Sequence, residues 1–138
     1  MVVRTAAAAA VLLLAAGVAR AATPEEVKAI CAEAAGRYQE QFGSAQAAAP
    51  QPVVAMYKHT FCPRQLTVKQ GTAVRFVNVD KRTTHSFWFR DAGRPESERF
   101  LPGEGATMTV DLPPGEHQYL CGPHWEREDM TGTITVTP

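Results

Sequence analysis

The chain has 138 residues, with 14 basic and 14 acidic side chains that leave no formal net charge when the histidines are neutral. This length limits the chain to one compact domain plus an appendage. The Lys and Arg residues are interspersed with acidic ones and form no stripe or block, so a nucleic-acid-binding surface is not expected.

Residues 1–22 have the pattern of a secretory signal peptide. Arg4 precedes an apolar run at 6–19, and small residues surround the expected cleavage point after Ala21 or Ala22. The run of 14 residues is shorter than the 18 or more that indicate a membrane span, so no stable membrane insertion is expected. Cleavage leaves about 116 residues with a net charge of about −2 and predicts a periplasmic protein.

Residues 23–43 are predicted to form one amphipathic helix. Thr23 has the N-cap position, Pro24 the first helical position, and Glu26 the position that closes a capping box. Apolar side chains then recur every three or four residues, at Val27, Ile30, Ala34, Tyr38 and Phe42. We expect this apolar stripe to dock on the rest of the protein, because a lone amphipathic helix needs a surface that covers it.

Residues 44–52, rich in Ala, Gln and Pro, are predicted to be a flexible linker. From Val53 the hydrophobic period changes to that of β-strands, and residues 53–138 are predicted to form one domain. In the segment 83–90, His85, Phe87 and Phe89 are expected to share one face of a strand. Residues 91–105 are rich in Gly, Pro and charge and are predicted to be a surface loop. Short strands separated by turns are typical of an all-β, Greek-key β-sandwich.

The main functional pattern is the segment from Cys121 to Met130, which contains a thiolate, the imidazole of His124 and a thioether. His85 offers a second imidazole from upstream. Two His and one Cys with a weak axial Met are the ligands of a copper site that serves both Cu(I) and Cu(II). Zinc prefers four strong ligands and gains little from a thioether, so Met130 favours copper over zinc.

These residues and their order resemble the cupredoxins, the family of type 1 copper proteins that includes plastocyanin, pseudoazurin and azurin. The resemblance covers residues 57–138. It includes an Asn78 and Asp80 turn before His85, the terminal ligand loop, and the motifs Phe61-x-Pro63, Val68-x-x-Gly71, Pro114-Gly115 and Thr131-Gly132-Thr133. One departure is the spacing between His124 and Met130, where five residues replace the usual four of plastocyanin-like proteins.

The resemblance implies a cupredoxin-like Greek-key sandwich that holds one copper ion. The implied ligands are His85, Cys121, His124 and Met130. Asn78 and Ser86 are the implied hydrogen-bonding residues around them, since in the family the residue after the first His bonds across to the ligand loop and restrains it. Ser86 stands here where Asn is more usual.

Cys31 and Cys62 are the two cysteines outside the predicted copper site. Because the compartment is oxidising, a disulfide between them that joins the helix to the first strands is the preferred interpretation. The second interpretation is another copper site around Met56 and His59, with Cys62 close in sequence. His117 lies too far along its strand from Cys121 to bind the same ion.

The resemblance implies a one-electron carrier between redox partner proteins, such as a cytochrome or a copper enzyme, and a chain that is not itself an enzyme. We expect a monomer. The alternative is a periplasmic copper-binding or copper-tolerance protein on the same fold, which requires a second, solvent-accessible Cu(I) site. A multicopper oxidase or a copper nitrite reductase needs more domains and additional His ligands, so these classes are disfavoured.

Overall fold

The computed structural model describes residues 20–138. The predicted signal peptide, residues 1–22, therefore lies outside the described residues except for its last three positions. Among residues 20–138, no helix combines the length and the apolar character needed to cross a bilayer.

Seven strands make up two sheets that pack face to face. Their bounds are β1 Val53–Tyr57, β2 Thr60–Cys62, β3 Gln65–Lys69, β4 Ala73–Asn78, β5 Gly105–Thr109, β6 Gly115–Leu120 and β7 Thr131–Thr137. One sheet has the order β2-β1-β4-β5 and the other the order β3-β7-β6. β1 pairs with β4 and β3 with β7 in parallel, and the remaining pairs are antiparallel. The predicted β-sandwich with an N-terminal helix is confirmed.

The strand β1 is buried along its whole length because both of its faces are covered. Val54 and Met56 face the core between the two sheets, while Val53, Ala55 and Tyr57 belong to a second apolar cluster under the helix. This explains why the strand reads as a continuous apolar run instead of alternating with polar residues.

The helix α1 spans Pro24–Phe42 and lies on the outer face of the first sheet. Its N-terminus has the predicted capping box: the Glu26 amide donates to Thr23 Oγ1 at 3.2 Å, and the Thr23 amide donates to Glu26 Oε2 at 2.7 Å. Gly43 ends the helix with φ of 75°, a left-handed conformation that glycine adopts without strain. Ala34 and Tyr38 from the predicted stripe are buried against the sheet, so the helix docks as expected.

A disulfide holds α1 to the sheet, and a side-chain amide holds the segment that follows the helix. The predicted disulfide between Cys31 and Cys62 is present and joins the helix to β2. In the segment 44–52, predicted to be a flexible linker, residues Gln46–Ala48 form a 3-10 turn. The Gln46 side-chain amide donates to the carbonyls of Val53 at 3.0 Å and Cys62 at 2.8 Å, so this segment is tied to β1 and β2.

The segment 83–90 is not the continuous strand that its alternation predicts. It has two isolated bridges, between His85 and Phe100 and between Trp88 and Leu120. Its partners are therefore the 91–105 loop at one point and β6 at another. Ser86 and His85 are both fully buried.

Candidate metal centre

Three side chains from two distant parts of the chain converge at one end of the sandwich. One ligand atom from each of His85, Cys121 and His124 lies within 4.8 Å of the others. Cys121 Sγ is 3.7 Å from His85 Nδ1 and 3.4 Å from His124 Nδ1. Bonds from a first-row divalent metal such as zinc to nitrogen and sulfur are about 2.0–2.3 Å, so donors on one ion stand roughly 3–4 Å apart. The Cys121 sulfur already has this spacing from both imidazole nitrogens.

His85 is oriented by a carboxylate. Its Nε2 lies 3.1 Å from Asp80 Oδ2, and the imidazole is fully buried. Burial works to raise the pKa of Asp80, but hydrogen bonds from His85 and from the Lys58 and Lys81 amides hold it below its usual value. The ionised carboxylate can only accept, so Nε2 carries the ring proton and Nδ1 presents its lone pair toward Cys121. The sequence placed Asp80 in the turn before His85 but did not predict this contact.

Asn78 shapes the turn that leads to His85. This fully buried side chain donates to the carbonyls of Thr83 at 2.7 Å and Phe100 at 2.9 Å, and its Oδ1 accepts from the Asp80 amide at 2.8 Å. Phe100 is also the bridge partner of His85. Asn78 therefore fixes the turn before His85 and the backbone of its bridge partner Phe100, and it does not contact the donors themselves.

The downstream ligands lie on a loop that bonds mainly to itself. The amides of His124 and Trp125 donate to the Cys121 carbonyl at 3.0 and 2.9 Å, which begins the short helix α2, Trp125–Glu128. Asp129 then adopts φ of 50°, and the Met130 amide donates back to the His124 carbonyl at 3.3 Å. One helical turn and one left-handed residue thus accommodate the five residues between His124 and Met130.

Met130 is fully buried and belongs to the same core cluster as Cys121. The Cys121 amide donates to the Met130 carbonyl at 3.0 Å, so the first and last residues of the loop are paired directly. The predicted axial ligand therefore lies just before β7, and its backbone is paired with that of Cys121 inside the same apolar cluster.

Ser86 contacts the ligand loop in two ways. Its amide lies 3.5 Å from Cys121 Sγ, and its hydroxyl accepts from the Gly122 amide at 2.9 Å. The hydrogen bond across to the ligand loop that the resemblance implies is thus made by a hydroxyl. An amide proton directed at the sulfur stabilises the thiolate that a metal requires.

Burial dominates the electrostatics of the three donors. It raises the pKa of Cys121 to about 11, partly opposed by the Ser86 amide. Burial, followed by repulsion from His85 and His59, lowers the pKa of His124 to about 4. The pKa of His85 is lowered by burial as well, although Asp80 opposes this. Both imidazoles are therefore neutral at pH 7 and ready to bind a metal, whereas the thiol must release a proton when it does so.

His59 lies at the mouth of the site. Its exposed ring has its centroid 4.5 Å from that of His124 and 6.5 Å from that of His85. Lys58 and His59 form the tight turn between β1 and β2, and both have positive φ, an uncommon conformation for residues of these types. The sequence could not predict that His59 lies beside His124, because this proximity depends on how the β1–β2 turn packs against the ligand loop.

The other two residues considered for a second copper site have different surroundings. Met56 is fully buried in the core between the sheets, and the Cys62 sulfur is bonded to Cys31. Neither of them offers a solvent-accessible sulfur ligand beside His59. In the described part of the chain, the one group of three or more His, Cys, Asp or Glu residues with metal-binding spacing is His85, Cys121 and His124.

The sequence matches the cupredoxin-like domain family over residues 6–136. The chain belongs to this family. Its cofactor is one copper ion, for which His85, Cys121, His124 and Met130 form a candidate type 1 site. The buried thiol and two neutral imidazoles are the donor set that copper prefers in such sites.

Solved structures support the same cupredoxin fold. An amicyanin mutant in its reduced Cu(I) form is 23% identical over 65% of this chain and 85% of its own, with a TM-score of 0.55. A Cu-containing nitrite reductase from Thermus scotoductus SA-01 is 27% identical over 70% of this chain, with a TM-score of 0.56. That alignment covers only 24% of the reductase chain. No curated protein matches the chain in sequence.

Proposed function

We propose that this cupredoxin is an exported one-electron carrier, with His85, Cys121 and His124 as the strong copper ligands and Met130 as the axial ligand. The observation that carries the proposal is the convergence of the three strong donors, with Nδ1 of both imidazoles facing the Cys121 sulfur. Copper bound to two His, one Cys and a weak axial Met supplies a one-electron couple in a geometry that suits both oxidation states.

The protein's own residues keep this donor set in place before metal arrives. Asp80 fixes the His85 ring, the Ser86 amide faces the Cys121 sulfur, and the short helix after His124 sets the loop length. A site held in one geometry needs little rearrangement when an electron arrives or leaves. This is the property that a carrier between redox partner proteins requires.

Export to the periplasm is part of the proposal. The apolar run at 6–19 followed by small residues supports it, because this pattern directs secretion. The disulfide between Cys31 and Cys62 also supports it, because such bonds persist in oxidising compartments. The partners we propose are soluble redox proteins, such as a cytochrome or a copper enzyme, and we propose no enzymatic activity for the chain itself.

Copper titration of the protein without its first 22 residues tests the site. We expect one equivalent of copper and an intense thiolate-to-Cu(II) absorption band in the visible spectrum. Cys121→Ser should abolish that band, because the sulfur that produces it is gone. His117→Ala is the matched control, since this histidine bonds to the Pro113 carbonyl at 2.7 Å and lies outside the donor set. Free alkylation of Cys121 in the presence of copper would contradict the proposed site.

A second measurement separates electron transfer from copper handling. The copper-loaded protein is cycled repeatedly with a redox dye in the presence of a Cu(I) chelator. A carrier retains its copper over many cycles, because the buried donors also suit Cu(I). Transfer of copper to the chelator at each reduction would instead support the copper-handling alternative.

A further inference from the structure

A carboxylate from the 91–105 loop lies against the ligand loop. Glu96 Oε1 accepts a hydrogen bond from the Ser86 hydroxyl at 2.7 Å, and that hydroxyl accepts from the Gly122 amide at 2.9 Å. One chain of hydrogen bonds thus joins Glu96 to Ser86 and Ser86 to Gly122. Ser86 directly follows His85, and Gly122 directly follows Cys121. A bond to an ionised carboxylate is stronger than one between neutral groups, so Glu96 determines which way the hydroxyl points.

The approach of Glu96 to the ligand loop depends on a glycine. A Cβ atom added to Gly122 would lie 1.9 Å from Glu96 Oε1, so any larger residue at position 122 would displace the carboxylate. The Glu96 side chain is 28% exposed, and Arg99 Nε lies 3.6 Å from it on the solvent side. The carboxylate therefore fills the space directly over the peptide that follows Cys121.

A second contact holds the same loop to the same segment. Ser97, next to Glu96, accepts a hydrogen bond at its Oγ from the Phe87 amide at 3.0 Å, and its own amide donates to the Phe87 carbonyl at 3.0 Å. Phe87 follows Ser86 directly. These paired bonds fix the position of the loop, so that the charge of Glu96 has a defined place near Cys121.

We propose that Glu96 is a positioning residue of the copper site: it accepts the Ser86 hydroxyl proton, so that the hydroxyl oxygen accepts from the Gly122 amide, and it places a negative charge beside the Cys121 ligand. This inference rests on the proposed electron-carrier function. A negative charge near the metal stabilises Cu(II), the more positive oxidation state, relative to Cu(I). Glu96 therefore lowers the reduction potential of the site.

Glu96→Gln tests the role of the charge, because the amide oxygen can still accept from the Ser86 hydroxyl. At a fixed applied potential, we expect about a tenfold higher ratio of Cu(I) to Cu(II) than in the wild type, which is a rise of about 59 mV for a one-electron couple. Glu98→Gln is the matched control: it removes an exposed carboxylate two residues away in the same loop. Equal shifts in the two variants would overturn the proposal, since a local charge must act more strongly than a remote one.

A measurement on the copper-free protein tests the positioning role. We expect the Gly122 amide to exchange its hydrogen at least tenfold faster in Ser86→Ala and Glu96→Ala, and at nearly the wild-type rate in Glu96→Gln. An unchanged Gly122 exchange rate in Ser86→Ala and Glu96→Ala, with the fold intact by circular dichroism, would overturn the hydrogen-bond chain.

The two proposals can fail separately. A wild-type protein that takes up no copper refutes the proposed function, while Gly122 exchange still decides whether Glu96 orients Ser86. A wild-type protein with one copper and the thiolate band, but with the same potential in Glu96→Gln, refutes only the assignment to Glu96.

Discussion

The two halves of the copper site are built by different means. The upstream half runs from Asn78, the last residue of β4, to His85; it forms no helix or strand after Asn78 and is held by side-chain hydrogen bonds from Asn78 and Asp80. The downstream half, Cys121 to Met130, is held by backbone hydrogen bonds within its own ten residues, including one helical turn. Loss of one side chain should therefore disrupt the upstream half, whereas the downstream half should depend on backbone conformation.

The largest expected effect is in the upstream half. Asn78→Ala removes three hydrogen bonds at a fully buried position, and we expect the free energy of unfolding to fall by about 3 kcal/mol, roughly 1 kcal/mol for each bond. Urea denaturation of the copper-free protein measures this loss. Copper affinity should fall as well, because the turn that carries His85 is no longer fixed. A loss below about 1 kcal/mol would mean that the upstream half does not depend on this side chain.

Acidification of the copper-free protein should have a smaller effect, which acts on the downstream half through His124 and is reduced by solvent screening at this partly exposed ring. Burial, with repulsion from His85 and His59, lowers the pKa of His124 to about 4, whereas an unfolded chain has the ordinary value of about 6.5. Between these two values the unfolded state binds a proton that the folded state does not. The free energy of unfolding should therefore decrease as the pH falls from about 6.5 to about 4, and this contribution should level off below.

Two histidine variants isolate this effect from that of the carboxylates. His124→Gln should make the decrease in stability between pH 6.5 and pH 4 smaller, and His117→Gln, at a histidine that bonds to the Pro113 carbonyl outside the donor set, is the control. Urea denaturation at a series of pH values provides the comparison. The same pH dependence in both variants would show that His124 titrates normally in the folded protein.

The smallest effect should come from Asp129, whose φ of 50° closes the downstream loop. Asp129→Gly should change the free energy of unfolding by less than about 0.5 kcal/mol, because glycine adopts this conformation freely. Asp129→Val should lower it by about 1 kcal/mol, because a β-branched residue is strained there. The exposed ion pair with Arg64 is lost in both variants and contributes little. Equal decreases in the free energy of unfolding in the two variants would indicate that loss of the Asp129 carboxylate matters more than the backbone conformation at this position.

The same contrast explains what the sequence could predict. Cys121, His124 and Met130 lie within ten residues and form a recognisable set of copper ligands, and the capping box of α1 is equally local. Asp80 and Glu96 act through hydrogen bonds that depend on the path of irregular loops. The hydrophobic periodicity of the sequence does not predict that path. The alternation at 83–90 predicted a strand, but His85 pairs with Phe100 in a loop and Trp88 with β6, so the segment pairs only at isolated points.

The direction of β7 determines how this molecule can be attached to a surface. The strand begins at Thr131, next to the proposed axial ligand Met130, and runs to Thr137, roughly 20 Å away at about 3.3 Å per residue. Lys58, in contrast, lines the same surface depression as His59 at the mouth of the site. An electrode linker anchored at Thr137 should leave the candidate copper site open to the solution, whereas a bulky label on Lys58 should obstruct electron exchange there.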